Sequence, residues 1–405
     1  MFFHLNRIFL SAALLIAFFS GCGTSDTKEQ VEEVVPADSS GNEQLSAEDI
    51  AAEESEPVKV TVENARLGAQ SDGTYYQFYT PDVCTEASPC PAVVLVPDRL
   101  EAGIDTFSPV ASGLAAELVS LVVVFNSPGR GSGSERSSGE EDFNGTKAQD
   151  KFVELLIHVS KQTFVVKNNI GIVSIGFGLS LAAPALARFQ EGSLEFIRYL
   201  IDVEGPINRC YITQSPFFVN QSEGWYINQD GPGFTPSRCD FDLHPRLQKF
   251  PAGTSSDGKG TDGTPNSYIC NENTYLLKEA SVTCEDDSFF TTREPKQYLE
   301  EIGVHYLRLQ FRYDHEQPTR LGGIEAIHWA SKGDALSFQL NNLSLNQKLS
   351  AYSEEDLLAA GAFLSTKAGN GFGTDVYAEG KLKPITQAEL FSAVLPDFIR
   401  RMQAR

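Results

Sequence analysis

Three side chains of this sequence have the chemical types that nucleophilic catalysis uses: Ser180 carries a hydroxyl, Asp314 a carboxylate and His315 an imidazole. A serine attacks a carbonyl carbon when a base accepts its proton and a third group orients that base. Ser180 follows the glycine pair Gly176 and Gly178, near the start of a predicted helix. One hypothesis is therefore hydrolysis by these three residues. The other is that Ser180 only caps or packs, as serines at helix starts commonly do.

Metal and cofactor chemistry receive less support from the same region. Asp314, His315 and Glu316 are adjacent on an extended loop, where successive side chains point in alternating directions, so at most two of them could share an ion. The turn at Gly176 is similar to a dinucleotide-binding turn, but Leu181 stands where a third small residue is expected. We therefore expect neither a metal site nor a cofactor.

The composition indicates a folded protein that does not bind nucleic acid. The 405 residues are 41% hydrophobic and 10% aromatic, which is enough apolar material for a sizeable core. The formal net charge is -22, with 32 basic residues against 54 acidic ones. A phosphate-backbone binder needs a clustered cationic face, which this balance does not favour.

The first 22 residues have the pattern of an export signal. Arg7 precedes an apolar run from Ile8 to Phe19, which is shorter than the roughly 20 residues that span a bilayer. The small residues before Cys22 resemble the lipobox of bacterial lipoproteins. This resemblance implies a signal peptide over residues 1–21, a membrane lipid on Cys22 and a location in the bacterial cell envelope. An ordinary signal peptide with an incidental cysteine is the alternative.

Residues 22–57 have the composition of a tether. From residue 23 onwards the segment holds eleven carboxylates and a single lysine, Lys28, and such a chain repels itself and stays extended. We interpret it as a disordered spacer between the lipid and a domain over residues 58–405. An acidic tail that binds a partner is the other interpretation.

The remaining six of the seven cysteines predict disulfide bonds, because an even number in an exported chain is typical of a disulfide framework. No C-x-x-C spacing occurs, so zinc-ribbon and thioredoxin sites are not favoured. Proximity along the chain favours three pairs: Cys84 with Cys90, Cys210 with Cys239, and Cys270 with Cys284.

From residue 58 onwards, strand-like and helix-like patterns alternate, which predicts a parallel sheet with right-handed crossovers. The fold class is therefore α/β. The predicted strands cover residues 58–62, 75–79, 92–96, 121–125, 169–175, 200–203, 303–311 and 336–340. The predicted helices cover residues 110–118, 147–159, 179–189, 323–330, 354–364 and 387–402.

Residues 207–300 interrupt this alternation and predict an insertion that acts as a lid. They are rich in Gly, Asn, Asp and Ser, lack the periodicity of a core and hold four cysteines that could staple them. Trp225 and Tyr226 lie there among polar residues, a composition suited to binding a glycan, a peptide or a protein surface. Alternatively, these aromatic side chains fill a small stapled core.

The order of the elements resembles the α/β-hydrolase family over residues 58–205 and 300–405. Three segments carry the likeness: the glycine-rich loop 126–133, the strand-turn-helix 170–183, and the strand end 313–318. The resemblance implies a mostly parallel sheet with helices on both faces. It also implies a G-x-S-x-G elbow, in which a strained turn raises the nucleophile above the sheet.

The elbow segment departs from the family pattern. Gly176 matches the first glycine, Gly178 falls on the nucleophile and Ser180 falls on the last glycine. A residue without a side chain cannot attack a carbonyl. Ser174 lies inside the predicted strand, where packing is the expected role.

The base and the oxyanion-binding loop depart from it as well. The resemblance places the catalytic histidine after the last strand, but no histidine follows His328 and the loop offers Asn341. The loop after the third strand reads Pro97-Asp98-Arg99, and an anionic side chain there is badly suited to stabilising developing negative charge.

The pattern of the first 22 residues predicts an exported, lipid-anchored protein. The departures from the family pattern predict that its α/β-hydrolase-like domain binds or scaffolds without catalysis. The alternative is an active ester or peptide hydrolase with a non-standard site around Ser180, Asp314 and His315.

Overall fold

The structure, a computed structural model, describes residues 57–69, 73–207, 234–235, 270–271, 275–283, 286–310, 321–341, 343–344 and 390–405. Several predictions fall outside these residues: the signal peptide, the tether, the helix over 354–364, and the residues Cys22, Cys210, Trp225, Tyr226, Cys239, Cys284, Asp314, His315 and Glu316.

The described strands form one large sheet and one short pair. In the sheet the order is β1-β2-β4-β3-β5-β6-β9-β10-β11. Pairing is antiparallel at β1-β2, β2-β4 and β10-β11 and parallel at the other contacts. The short pair joins β7 to β8 inside the predicted lid. The strands are β1 (Val60–Leu67), β2 (Thr74–Pro81), β3 (Cys90–Val96), β4 (Leu121–Phe125), β5 (Val165–Ile175), β6 (Ile197–Val203), β7 (Phe234–Thr235), β8 (Cys270–Asn271), β9 (His305–Leu309), β10 (Ser337–Leu340) and β11 (Leu343–Ser344).

Helices cover both faces of the sheet. One face packs against α1 and α8, and the other packs against α2, α3, α6 and α7. The described helices are α1 (Gly103–Leu118), α2 (Thr146–Ser160), α3 (Leu179–Ser193), α4 (Tyr275–Ala280), α5 (Asp287–Thr291), α6 (Pro295–Leu299), α7 (Leu321–Lys332) and α8 (Leu395–Gln403). The predicted α/β class, with a mostly parallel sheet between two helical layers, is confirmed.

The central strands are apolar throughout because they are covered on both sides. In β3, Ala92 and Val94 face the layer of α2 and α3, whereas Val93 and Leu95 face α1. All four are fully buried. This two-residue alternation puts one half of each strand into each of two separate cores.

The disulfide between Cys84 and Cys90 is confirmed, with the two Cα atoms 5.3 Å apart. It closes the turn between β2 and β3. For Cys270 the structure describes only the backbone, which pairs with Thr235 in the short β7-β8 ladder. The other two predicted disulfides lie outside the described residues.

Two helix boundaries differ from the prediction, and a proline lies near each of them. Helix α1 begins at Gly103 and contains Pro109, although the sequence predicts its start after that proline. Burial of Ile104 and Phe107 holds the additional turns in place. At the carboxyl end, a π-helical turn over residues 390–394 precedes α8, whose first turn accommodates Pro396.

None of the helices in the described part of the chain combines the length and the apolar character needed to cross a membrane.

Candidate functional site

The carboxyl ends of the parallel strands meet at one edge of the sheet, called here the carboxyl edge. Open α/β sheets bind their ligands at this edge. The first residues after the strands there are polar or lack a side chain, and all of them are buried: Asp98 near the end of β3, Gly176 after β5, Glu204 after β6, Gln310 after β9 and Asn341 after β10. The candidate site is therefore filled by the protein's own groups.

The turn after β5 places its strained residue at Gly176. Gly176 has a positive φ of 48°, whereas Gly178 has ordinary helical angles of -57° and -24°. Residues Gly176–Gly178 form one 3-10 turn that leads directly into α3. The family pattern places the apex of the elbow on Gly178. The residue with the positive φ is Gly176, two positions earlier, because the chain changes direction sharply where the strand ends.

Neither glycine leaves room for a side chain. A Cβ atom on Gly176 would lie 2.0 Å from Asp98 Oδ1. A Cβ atom on Gly178 would lie 2.7 Å from the Pro97 carbonyl oxygen and 2.9 Å from the Val96 carbonyl oxygen. The loop after β3 thus occupies the volume that a nucleophilic side chain would need.

The carboxylate of Asp98 accepts hydrogen bonds from two backbone amides of different elements. The Phe177 N–H donates to Asp98 Oδ1 at 2.6 Å, and the Arg99 N–H donates to the same oxygen at 2.7 Å. Arg99 has a positive φ of 48°, which turns its amide inwards. The Arg99 guanidinium lies 3.8 Å from Oδ2. Backbone donors to a carboxylate give short, charge-assisted bonds, so this arrangement stabilises the closed geometry.

Both serines near the turn are buried. Ser180 lies in the first turn of α3 with no exposed surface, and its hydroxyl has no hydrogen-bond partner among the described residues. Ser174 is also fully buried and contacts the Ile201 carbonyl oxygen at 3.4 Å. A substrate cannot reach either hydroxyl without opening of the turn or of the helix.

The positions after the last two long strands hold amides that bind each other. The Gln310 N–H donates to Asn341 Oδ1 at 2.9 Å, and Asn341 Nδ2 donates to the Gln310 carbonyl oxygen at 2.8 Å. Asn341 is the residue that stands at this position. Asp314 and His315 follow Gln310 in the chain and remain predictions.

The two histidines whose side chains the structure describes lie far from the turn in the fold. His305 is the first residue of β9, at the opposite edge of the sheet, and its Nδ1 lies 2.9 Å from Ser337 Oγ. His158 lies in the last turn of α2, where its Nε2 pairs with Tyr76 OH at 2.9 Å. Burial lowers the pKa of both imidazoles.

A buried ion pair occupies the ends of β6 and β9. Arg308 donates to Asp202 Oδ2 at 2.7 Å, and both side chains are fully buried. Tyr306 OH donates to the same carboxylate oxygen at 2.6 Å, and Gln310 Oε1 accepts from Arg308 at 2.7 Å. Burial and the charge of Asp202 raise the pKa of Tyr306 well above its usual value, so the phenol stays protonated. Gln310 in turn donates to Glu204 at 3.2 Å.

The glycine-rich loop after β4 supports the turn from the other side. Arg130 forms a two-pronged pair with Glu141, at 2.5 and 2.9 Å, and also donates to Asn144 at 2.8 Å. Asn144 Nδ2 then donates to the Phe177 carbonyl oxygen at 3.0 Å. The loop therefore holds the backbone of the turn through a chain of polar contacts.

The end of the predicted lid covers the turn. The Phe177 side chain packs into a small apolar cluster with residues of α4 and α5: Leu276, Leu277, Phe289 and Phe290. The sequence pattern predicts no helix between residues 207 and 300 and therefore misses α4, α5 and α6. The error arose because α4, α5 and α6 are too short to give a clear helical period.

Arg293 ties this lid segment to the loop before α2. Its guanidinium donates to the carbonyl oxygens of Phe143 at 2.8 Å and Phe289 at 2.7 Å, and also to that of Asp142. It lies 4.0 Å from the centre of the Phe289 ring. Burial lowers the pKa of Arg293 to about 10, so it remains charged at neutral pH.

Metal-ligating side chains do not cluster in this region. Within the described ranges, no group of three or more His, Cys, Asp or Glu residues is placed to hold an ion.

Comparison with known proteins gives structural likenesses alone. No family model matches the sequence, and no curated protein matches it. An esterase from Pyrobaculum calidifontis is 16% identical, with a TM-score of 0.41 over 68% of this chain and 74% of that one. Est1E from Butyrivibrio proteoclasticus, solved with ferulic acid, is 11% identical, with a TM-score of 0.43 over 84% of this chain and all of that one. DcsB, solved with a substrate analogue, is 12% identical, with a TM-score of 0.45.

The strand order and the strand-turn-helix after β5 decide the fold. It is α/β-hydrolase-like. In hydrolases of this fold, the oxyanion hole consists of the N–H that follows the nucleophile and an N–H from the loop after the third strand. Phe177 and Arg99 hold the corresponding positions around Gly176, and Asp98 occupies both donors.

Sequence reasoning identified Asp98 as an obstacle but missed several of the buried polar groups described above. Arg308, Arg130 and Arg293 are buried cations that no motif indicated. One signal was present: Arg308 stands between Leu307 and Leu309 in an apolar strand, where a cation must have a buried partner.

Proposed function

We propose that this protein is a non-catalytic binding or scaffolding protein built on an α/β-hydrolase-like fold. One observation carries the proposal: the Asp98 carboxylate accepts the two backbone N–H groups that would otherwise stabilise an oxyanion. In hydrolases such donors point at the place where negative charge develops. Here a negative charge is already present, and a second one beside it would be repelled.

The identity of the residue at the turn supports the same conclusion. Hydrolysis by a covalent mechanism needs a side-chain nucleophile at the apex, and the apex is Gly176. The neighbouring loop leaves no space for a larger residue there. The glycine at the turn and the carboxylate beside it therefore both support a non-catalytic role.

The rival proposal is an active ester or peptide hydrolase around Ser180, Asp314 and His315. The buried position of the Ser180 hydroxyl in α3 argues against it, because the nucleophile must be accessible to its substrate. We retain this candidate only as the outcome that the following experiment would detect.

The test is covalent labelling of the purified protein with a fluorophosphonate probe, combined with hydrolysis of a short-chain aryl ester. We expect no labelled serine by mass spectrometry and no rate above that of heat-unfolded protein. Labelling at Ser180, or an esterase rate that disappears in Ser180→Ala or His315→Ala, would establish the hydrolase instead.

Export and lipid anchoring belong to the same proposal. The sequence before Cys22 supports attachment to a membrane lipid in the bacterial envelope, with the acidic segment to residue 57 as a spacer. Cys22→Ser should release the protein into the soluble fraction and abolish incorporation of a labelled fatty acid. Retention of both properties in that variant would contradict the anchor.

The proposed ligand surface is the lid around Trp225 and Tyr226, with a glycan, a peptide or a protein as ligand. A glycan array and a thermal-shift screen on the wild-type protein and Trp225→Ala test this. A ligand that the variant loses, with unchanged stability, supports the binding role. Lost stability with no ligand assigns the side chain to a core.

A further inference from the structure

A groove of about 930 Å³ lies at the opposite end of the sheet from the candidate site. Its walls come from the carboxyl end of α2, the beginning of β5, the turn between α3 and β6, and the residues just before β9 and β10. We call it the amino-edge groove. It shares no residue with the turn at Gly176 or with the network around Arg308, so it requires its own explanation.

The charge in this groove contrasts with the charge of the whole chain. Lys161, Lys167 and Arg198 line it, while the lining includes one carboxylate, Glu195. Glu195 accepts a hydrogen bond from the Gly192 N–H at 3.1 Å. The chain as a whole carries -22. Three cations therefore lie around one groove of an otherwise acidic protein.

The negative carboxyl ends of two helices balance only part of this positive charge. The carboxyl ends of α2 and α3 both lie beside the groove, and each contributes roughly half a negative charge. Together with Glu195 they balance about two of the three cations. The groove therefore remains positive, which favours an anion.

The environment of Arg198 points to a missing partner. Its Nε atom is buried and has no hydrogen-bond partner among the described residues. A buried donor without a partner is destabilising, and more so when it belongs to a charged group. Because Arg198 lines the groove, an anion there would offset its uncompensated charge.

One further cation, Arg405, and an imidazole, His305, lie beside this region. Arg405 donates to Ser337 Oγ at 2.7 Å, and His305 Nδ1 lies 2.9 Å from the same oxygen. The pKa of His305 is lowered by burial and by the positive charges of Arg405 and Arg198. The field at this corner of the molecule is thus positive.

The groove also has an apolar wall. Leu336 is 64% exposed, the largest exposed fraction among the large apolar side chains described as exposed. Phe196 and Ile157 contribute further apolar surface. An inorganic ion would leave this wall in contact with water, whereas a ligand with a hydrocarbon portion would cover it.

We propose that the amino-edge groove binds an amphiphilic phosphate ester, with the phosphate on Arg198, Lys161 and Lys167 and the hydrocarbon portion against Leu336. The same chemistry occurs in soluble phosphate monoesters and in anionic phospholipid headgroups. This site is independent of the proposed function at the carboxyl edge, and a catalytic carboxyl edge would leave it unchanged.

Calorimetric titration of the full mature chain with hexyl phosphate at low salt tests the site. Hexyl phosphate should bind more tightly than inorganic phosphate. Arg198→Gln should weaken hexyl phosphate by at least tenfold and Lys161→Gln by several-fold. Lys147→Gln, at the other end of α2, is the matched control and should leave the affinity unchanged. Denaturant unfolding of each variant separates loss of the site from loss of the fold.

Leu336→Asn tests the apolar wall separately. It should weaken hexyl phosphate while leaving inorganic phosphate unchanged. Flotation of the Cys22→Ser protein, which lacks the proposed lipid anchor, with vesicles that contain phosphatidylglycerol distinguishes the two sources of ligand. Flotation that Arg198→Gln abolishes in this background assigns the site to a lipid headgroup, and hexyl phosphate binding without flotation assigns it to a soluble ester.

Three results would overturn the proposal. They are no binding of hexyl phosphate to the folded wild-type protein, equal loss in Lys147→Gln and Lys161→Gln, and affinity that folded Arg198→Gln retains. Each would mean that the cations serve only the helix ends and general solubility.

Discussion

The two ends of the sheet differ in the burial and pairing of their polar groups. At the carboxyl edge, the polar groups are buried and bound to one another, from Asp98 with its two backbone amides to Arg308 with Asp202. At the amino edge, a cationic groove stays open and Leu336 is exposed. The fold usually has its chemistry at the first edge. In this protein the described groups at that edge are buried, and the open groove lies at the other end.

The physical basis of this difference is the cost of buried charge. A buried carboxylate or guanidinium must be paired and hydrogen-bonded, because taking it out of water costs several kcal/mol. Each charge at the carboxyl edge meets that condition inside the protein. At the amino edge, Lys161 and Lys167 are exposed and stay accessible to a ligand, whereas Arg198 keeps a buried Nε that has no partner among the described residues.

The largest effect is expected at Arg308. Arg308→Met should lower the free energy of unfolding by about 3–5 kcal/mol, because it leaves the Asp202 carboxylate buried without its cation. Urea denaturation followed by circular dichroism measures this. Arg400→Met is the control, since Arg400 pairs with the exposed carboxylates of Glu117 and Asp397, and it should change stability by less than about 1 kcal/mol. Similar losses in both variants would refute the contrast between buried and exposed pairs.

The next effect concerns the coupling between the turn and Asp98. Gly176→Ala should cost about 1–3 kcal/mol, because alanine is strained at a positive φ and its Cβ meets the Asp98 carboxylate. The double variant with Asp98→Ala removes the collision. In a double-mutant cycle the two losses should therefore be less than additive by at least about 1 kcal/mol. Strict additivity would mean that the two residues do not constrain each other.

Replacing Arg293 should cause a comparable loss of stability, but one confined to the segment that it ties down. Arg293→Lys cannot reproduce the set of bonds to three carbonyl oxygens and should cost about 2 kcal/mol. Hydrogen exchange should accelerate in α5 and α6 and remain unchanged in β3 and β5. Uniform acceleration over the whole domain would instead show that this segment unfolds only together with the core.

Replacing Ser180, in contrast, should not lower the stability of the protein. Ser180→Ala removes a buried hydroxyl that has no partner among the described residues, so it should leave stability unchanged or raise it by about 1 kcal/mol. Thermal unfolding measures the difference. A clear loss of stability would show that the hydroxyl has a structural role that its contacts do not reveal.

The smallest effect is a change in pH dependence at the amino edge. The pKa of His305 is lowered in the folded protein, so the unfolded chain binds the proton more readily. Stability should therefore fall as the pH decreases through about 6.5, the usual pKa of histidine, and be fully present above it. His305→Asn should flatten this part of the stability profile. An unchanged slope would place the effect at His158, whose pKa is lowered in the same direction.

Much of the fold could be predicted from local patterns. The strand Leu121–Phe125 has the predicted bounds, and the paired strands β1 and β2 follow from alternation and an intervening turn. The errors lie where a distant contact overrides a local preference. Pro109 stays inside α1 because Ile104 and Phe107 are buried.

The sequence by itself determined the α/β class and the disulfide between Cys84 and Cys90, because periodicity and spacing are local properties. Tertiary structure decided which groups meet at the carboxyl edge. Asp98 meets the amide of Phe177, which lies 79 residues away in the chain, and Arg308 meets Asp202 across a distance of 106 residues. Such pairs form only when parallel strands bring their ends together, and no local pattern encodes that meeting.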